Sequence, residues 1–301
     1  MKKFVASILA LVMIFSFTAC GEETTQNAND VTVTSQEEKA DDKQEEKKDE
    51  IIFNEIVAVE NDECVVKITG IDEKNIWGYT LKAFLENKSM EKTYMFSVES
   101  AAINGVQCDV FFASEVAPGK KANEDISFMD ASIDKSVIGE YTDIELTFRI
   151  YDSNDWTADA VAVETIRIYP FGEDKAIEFV RENQPNDNII VNNDYATVIV
   201  TGYENDEIWG YTVKLFLINK TDKNIMFSVD DASINGFMID PFYAKSVIAG
   251  KCVFSSMSWY DTMLDENGIT DIEEIEFNLR AHDENNWMSD DLVNENIILN
   301  P

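Results

Sequence analysis

Two polar stretches recur in this chain: Asp152-Ser153-Asn154-Asp155-Trp156 and Asp283-Glu284-Asn285-Asn286-Trp287. Their alternating side-chain oxygens could contribute ligands to a calcium ion. A calcium loop also needs further acidic positions and a glycine, which both stretches lack, so no metal is expected there. Asx turns closing a hairpin account for the same residues. Because the stretches are repeated, Asp152, Asn154, Trp156, Asp283, Asn285 and Trp287 form a candidate ligand surface. Catalytic residues are not expected. His282 is the only histidine, so a Ser–His–Asp or Cys–His arrangement could form only around it. It falls on the outward face of a strand pattern, with Tyr151 at the matching place. His-Glu-x-x-His, Cys-x-x-Cys and glycine-rich phosphate motifs are missing. Acids are so frequent that no carboxylate pair stands out for hydrolysis. No cofactor is implied.

The elements that must position these residues come from an internal repeat. Ile76-Trp77-Gly78-Tyr79-Thr80-Leu81-Lys82 returns as Ile208-Trp209-Gly210-Tyr211-Thr212-Val213-Lys214, and Asn87-Lys88-Ser89 as Asn219-Lys220-Thr221. Met95-Phe96-Ser97-Val98 matches Met226-Phe227-Ser228-Val229, and Ile103-Asn104-Gly105 matches Ile234-Asn235-Gly236. Asp152, Asn154 and Trp156 match Asp283, Asn285 and Trp287. The order and near-constant spacing define one repeat over 51–170, a linker over 171–188 and a second repeat over 189–301. A helical turn is expected in the linker around Ala176–Arg181.

Within each repeat the period is two. Tyr79, Leu81, Ala83 and Leu85 share a face, as do Ile144, Leu146, Phe148 and Ile150; Tyr211, Val213, Leu215, Leu217 and Ile275, Phe277, Leu279, Ala281 are their partners. Such alternation marks half-buried antiparallel strands. Further strands are expected near 64–70, 93–98, 109–113, 121–129 and 160–169. Asn104-Gly105 and Asn235-Gly236 supply the positive φ of tight turns. A short helical insertion is expected between Ser258 and Asn267, where alternation lapses. Six to eight strands in so short a unit give an all-β fold of two tandem antiparallel β-sandwiches. Trp77 and Trp209 are expected as core or sheet-edge aromatics, with a sugar-stacking platform as the alternative. Asn-Lys-[Ser/Thr] is read as turn chemistry rather than as a glycosylation sequon.

The Trp-Gly-Tyr strand, the Asn-Lys-[Ser/Thr] break, the Phe-Ser-Val strand and the Ile-Asn-Gly turn together resemble tandem immunoglobulin-like domains of lipoproteins of Gram-positive bacteria. The resemblance covers both repeats. It implies an immunoglobulin-like fold and an extracellular address, and it carries no catalytic residues.

The N-terminus bears on the same address. Lys2 and Lys3 precede an apolar stretch from Phe4 to Phe17 and then Thr18-Ala19-Cys20-Gly21. This is the pattern of a secretory signal peptide over 1–19, too short for a comfortable membrane span. Phe17-Thr18-Ala19-Cys20 resembles the lipobox of bacterial lipoproteins, with Phe17 where that family usually has leucine. It implies a diacylated Cys20 and an anchor in the outer face of the cell membrane. Residues 20–50 are polar and charged and are expected to form a disordered tether. Formal net charge is −34, and loss of Lys2 and Lys3 makes it more negative, so nucleic acid is not an expected partner. Cys64, Cys108 and Cys252 remain, an odd number without counterparts between repeats. Buried thiols are expected, with a Cys64–Cys108 bridge as the alternative. The expected function is a lipid-anchored, monomeric, non-catalytic binding or spacer module for a protein, peptide or glycan. The alternative is an accessory lipoprotein holding a solute or cation between its repeats for an envelope transporter or enzyme complex.

Overall fold

Alternating apolar residues, punctuated by asparagine–glycine turns, build the same strand series twice. The computed structural model describes residues 51–128, 135–286 and 288–301; the expected signal peptide, Cys20, the expected tether and Trp287 lie outside them. The first repeat contains β1 Ile56–Glu60, β2 Cys64–Asp72, β3 Tyr79–Asn87, β4 Tyr94–Ile103, β5 Val106–Cys108, β6 Ala113–Val116, β7 Lys121–Phe128, the short helix α1 Lys135–Ile138, β8 Ile144–Asp152 and β9 Ala162–Ile168. The second contains β10 Asn188–Asn192, β11 Ala196–Asp206, β12 Gly210–Asn219, β13 Ile225–Ile234, β14 Phe237–Met238, β15 Ala244–Val247, β16 Cys252–Trp259, helix α2 Asp261–Glu266, β17 Ile275–Asp283 and β18 Val293–Leu299. Nine strands per described repeat exceed the expected six to eight, because the edge opposite β9 is split and a leading strand is added at β1.

In the first repeat β1-β2-β3-β7 form one antiparallel sheet, and β4 pairs with β5, β6 and β8, with β9 beyond β8. The chain crosses between sheets from β3 to β4, from β6 to β7 and from β7 to β8. This is the connectivity of an immunoglobulin-like β-sandwich. The second repeat copies it as β10-β11-β12-β16 over β14/β15-β13-β17-β18. The protein is therefore all-β, with two tandem antiparallel sandwiches.

The inward faces are those read from the period of two. Tyr79, Leu81, Ala83 and Leu85 are buried, as are Ile144, Leu146, Phe148 and Ile150. In the second repeat Val213, Leu215, Leu217, Ile275, Phe277, Leu279 and Ala281 are buried too, and Tyr211 is half-buried. Each fully buried valine, leucine, isoleucine or phenylalanine among them contributes about 1.5–3 kcal/mol on leaving water. Asn104 and Asn235 take φ of 51° and 50°, followed by Gly105 and Gly236 at 85° and 83°, the paired left-handed geometry of a two-residue hairpin. Asn104 does more than turn. Its buried amide donates to the Ile138 and Glu140 carbonyls and its Oδ1 accepts from Thr142 and Asp143. One side chain thus ties the hairpin to the chain entering β8.

Three local expectations are corrected. Residues 109–112 are not a strand: β5 and β6 pair with opposite halves of β4, and the segment between them loops out, with Phe112 inward and Phe111 in solvent. The linker has a 3-10 turn at Glu173–Lys175 instead of a helical turn around 176–181. From Ala176 on, tertiary hydrogen bonds hold the chain: Ile177 N donates to Thr142 Oγ1 (3.0 Å) and Phe179 N to Asn104 O (2.7 Å). Trp77 and Trp209 are not in the core, as described below. The expected helical insertion is present as α2.

The linker is a clasp. Phe179 meets Phe216 and Phe254 of the second repeat, with centroids 6.3 and 6.0 Å away. Arg181 lies 5.6 Å over the Phe216 ring while its guanidinium grips Asp187 at 2.6 and 2.8 Å. Beside it, β16 pairs in parallel with β5 through Cys252 and Val106, which joins one sheet of each repeat into a continuous nine-stranded sheet. The Gln107 amide donates to Ser246 O and accepts from Ile248 N. Lys251 reaches Glu145 at 2.9 Å with both side chains largely buried. Both repeats accordingly fall in one compact unit.

Candidate ligand-binding surfaces

The repeated aspartates act first on their own backbone. Asp152 Oδ1 accepts from Asn154 N and Asp283 Oδ1 from Asn285 N, both at 3.0 Å, which makes each an Asx turn. Each then takes a lysine from the neighbouring turn: Lys92 lies 3.5 Å from Asp152 and Lys223 2.8 Å from Asp283. The Lys223 ammonium and the Asn285 amide hold the Asp283 carboxyl below the usual carboxylate range. Each loop also hydrogen-bonds the Asn-Lys turn segment beside it, Ser153 N to Thr93 O and Glu284 N to Asn224 O, so the two repeated loops of a given repeat do share one end of its sandwich.

The structure does not bring the two copies of this loop together. Asp152 pairs with Tyr94 at the start of β4, whereas the joint to the second repeat is at the far end of β4 beyond Ile103. At about 3.3 Å per residue the first loop is on the order of 30 Å from that joint. Trp156 is exposed there. In the second repeat, by contrast, Glu284 and Asn285 face the first repeat. With Glu99, Gln107, Glu145 and Ser246 they line a cleft of about 700 Å³. Glu145 in that cleft already holds Lys251 and Arg167, each at 2.9 Å. Among the described residues no group of three or more acidic, histidine or cysteine side chains is arranged to hold a metal ion.

The Asn-Lys-[Ser/Thr] turns are structural. Asn87 is buried and donates to Lys92 O and Val116 O, and Asn219 repeats this with Lys223 O and Val247 O. Their amides are spent inside the fold. The three cysteines of the repeats are free and buried. Burial pushes the Cys64 and Cys252 thiols up to about 11 and Cys108 higher still, so thiolate is scarce near neutral pH. His282 is half-buried on β17 opposite Met226.

The exposed aromatics are the feature that sequence reasoning placed wrongly. Trp77 is 64% exposed and Trp209 44%. Each precedes a glycine of positive φ and so stands in the turn before its strand rather than in the sheet. The large aromatic inside the second sandwich is Trp259, fully buried, with its indole donating to Ile239 O. Trp209 instead lies near-parallel to Phe242 (5.8 Å, 17°) and Tyr260 (6.0 Å, 28°). Phe242 is 66% exposed, and Phe111, its counterpart beside Trp77's repeat, is 97% exposed. The signal was available in Asp109-Val110-Phe111-Phe112-Ala113 against Asp240-Pro241-Phe242-Tyr243-Ala244, at the same offset as the Met-Phe-Ser-Val and Ile-Asn-Gly matches.

An open cavity of about 680 Å³ adjoins this aromatic row, lined by Asn205, Tyr211, Asp261, Asp265, Thr270 and Asp271 among others. Gly210 connects the two. A side chain there would meet Trp259 O at 2.3 Å and Asp261 Oδ1 at 3.0 Å, at a φ of 72°. Glycine therefore lets the Trp209 turn lie directly on the start of α2.

No family model matches the chain, and no curated protein matches it. Among solved structures the chain is similar to one titled "Crystal structure of YadV chaperone at 1.63 Angstrom", at 11% identity over 73% of this chain and 92% of that one, with a TM-score of 0.24; a likeness of that degree carries no argument. No helix among the described residues is long and apolar enough to cross a membrane.

Proposed function

We propose that this protein is a lipid-anchored, extracellular, non-catalytic binding module, carried on the membrane through Cys20 and recognising its ligand with exposed aromatic side chains. The observation that carries the reading is the Phe242–Trp209–Tyr260 row. Three large rings are gathered and exposed together at one end of the second sandwich, outside its buried core. A folded domain gains nothing from leaving such rings wet, whereas aromatic side chains are the commonest anchors of recognition surfaces. Engagement of the repeated aspartates in Asx turns and lysine pairs supports a structural role for them. The Phe17-Thr18-Ala19-Cys20 sequence supports the anchor, and the strong negative charge supports a partner other than nucleic acid.

Two measurements test this reading. Metabolic labelling with a fatty acid, in wild type and Cys20→Ala, should show lipid on the first and none on the second, with the variant released from the membrane fraction. Thermal-shift screening of the full chain against peptides, glycans and metal ions should give a ligand-dependent rise that Trp209→Ala abolishes. Equal labelling of both proteins would remove the anchor, and a flat screen would leave a spacer. The cleft between the repeats favours a second reading, an accessory protein holding a small solute there. A rise lost in Glu284→Ala and kept in Trp209→Ala would select it.

A further inference from the structure

The binding-module reading can be carried to the chemistry of the ligand, and the inference that follows rests on that reading. The aromatic row and the cavity lie at the same end of the second repeat: Tyr211 and Asp261 line the cavity, and the Gly210 turn that carries Trp209 packs directly against Asp261. The two differ in character. The row is apolar and exposed, with Phe242 outermost. The cavity presents the carboxylates of Asp261, Asp265 and Asp271 and is lined by no lysine or arginine.

Charge distinguishes this tip from its copy. Where the first repeat has Lys74-Asn75 before its tryptophan turn, the second has Asp206-Glu207. Asp206 is held ionised: its Oδ1 accepts from the Ile208 and Trp209 amides at 2.8 and 2.9 Å, which lowers its carboxyl below the usual range. The tip is also the end of the second repeat away from the joint. Tyr211 pairs with Trp259 at one end of β12, and Ile218 pairs with Cys252 at the joint, so the row is at the opposite end of β12 from that pair, about 25 Å along the strand. A flat sugar would need an open ring face, but the indole, the largest ring, already has two near-parallel neighbours. A cation beside the row gains from the carboxylates of the cavity without needing an open ring face.

We propose that the distal tip of the second repeat binds a basic peptide segment of a partner protein. Apolar side chains of the segment lie along Phe242, Trp209 and Tyr260, and its lysine or arginine enters the cavity of Asp261, Asp265 and Asp271. Complementary charge of this kind raises the encounter rate and makes binding sensitive to salt.

The test is calorimetric titration of the full chain with the synthetic peptide Gly-Lys-Leu-Arg-Pro-Lys-Leu-Arg-Gly, its analogue with glutamate at every basic position, and chitohexaose. The basic peptide should bind and the acidic analogue should not. Trp209→Ala should weaken binding about tenfold, the loss expected of a central aromatic anchor. The Asp261→Asn, Asp265→Asn double variant should weaken it about tenfold at low salt and flatten its salt dependence. Met90→Ala, exposed in the first repeat, should bind as wild type; circular dichroism confirms that each variant is folded. Equal affinity for the two peptides, or unchanged affinity in both tip variants, overturns the inference. So does absence of basic-peptide binding. Binding of chitohexaose alone, lost in Trp209→Ala, also overturns it while leaving the binding-module reading in place. Failure of every ligand in the wider screen above is the separate result that removes that reading.

Discussion

The outer face of the four-stranded sheet has opposite chemistry in the two repeats. In the first, the cross-strand pairs Phe84–Asn123 and Glu86–Lys121 face water. Lys121 bonds Glu86 at 3.2 Å and lies over the Phe84 ring, and Lys67 bonds Glu55. In the second, the equivalent pairs are Phe216–Phe254 and Ile218–Cys252, and Ile199 replaces Lys67. Ile199, Phe216 and Cys252 pack with the core of the first repeat rather than with that of their own. The same strands in the same register thus present a solvated surface in one copy and a joint in the other. Both inner faces stay apolar, because the sandwich requires it. The outer face is free to vary, and what it became depends on whether Phe179 and β5 cover it.

This contrast can be broken at its strongest point first. Phe216→Ala should cost about 3–5 kcal/mol, as expected for a buried phenylalanine, whereas Phe84→Ala should cost under about 1 kcal/mol. The wild type should unfold in one calorimetric transition, and Phe216→Ala should separate the repeats into two. Equal costs at the two sites would mean that the joint contributes no stability beyond a solvated sheet face.

A smaller effect is expected at the charged pair beside the clasp. Lys251→Met leaves Glu145 with Arg167 as its remaining partner, so the loss should be about 1–3 kcal/mol, below that of a fully buried, singly paired ion. Lys120→Met, at the matching place in the first repeat, should change stability by less than about 0.5 kcal/mol. Chemical denaturation measures both, and a Lys251 variant as stable as wild type would show that the pair is neutral.

The smallest effect is in the acid limb. The Arg181 guanidinium holds the Asp187 carboxyl below the usual carboxylate range, aided by the Gln184 amide. A carboxyl lowered in the folded state stabilises above its unfolded value, near 3.9, and that stability is lost as pH falls through the lower folded value. Asp187→Asn should therefore reduce stability near neutrality and flatten its dependence below about pH 4. A melting profile parallel to wild type across that range would detach the Arg181–Asp187 pair from the joint.

Much of this architecture can be read from particular residues. The inward faces of β3, β8, β12 and β17 follow from side chains two apart, and the hairpin turns from Asn104-Gly105 and Asn235-Gly236, because both are local rules. The Asx turns at Asp152 and Asp283 are legible for the same reason. The tryptophans are misread because composition alone makes a tryptophan at a strand entrance resemble a core residue. Gly78 and Gly210, with positive φ, keep it in the turn. Phe179 is illegible as well. A largely polar linker whose phenylalanines are Phe171 and Phe179 gives no sign that the second ring will meet two others some 40 and 75 residues further on. The expected helical turn around it fails because contacts to Thr142 and Asn104 outweigh weak local helix propensity.

The sequence by itself determined that the chain is repeated, that each copy is an antiparallel β-sandwich, and which side of each strand faces inward, since alternation and turn chemistry act over a few residues. Only the tertiary structure decided which outer face becomes a joint, which end of the second repeat stands free, and that Trp209 lies there beside Phe242 and Tyr260. Those outcomes depend on contacts between segments far apart in the chain, such as Cys252 with Val106. An outward side chain carries no local mark of whether water or another repeat will cover it.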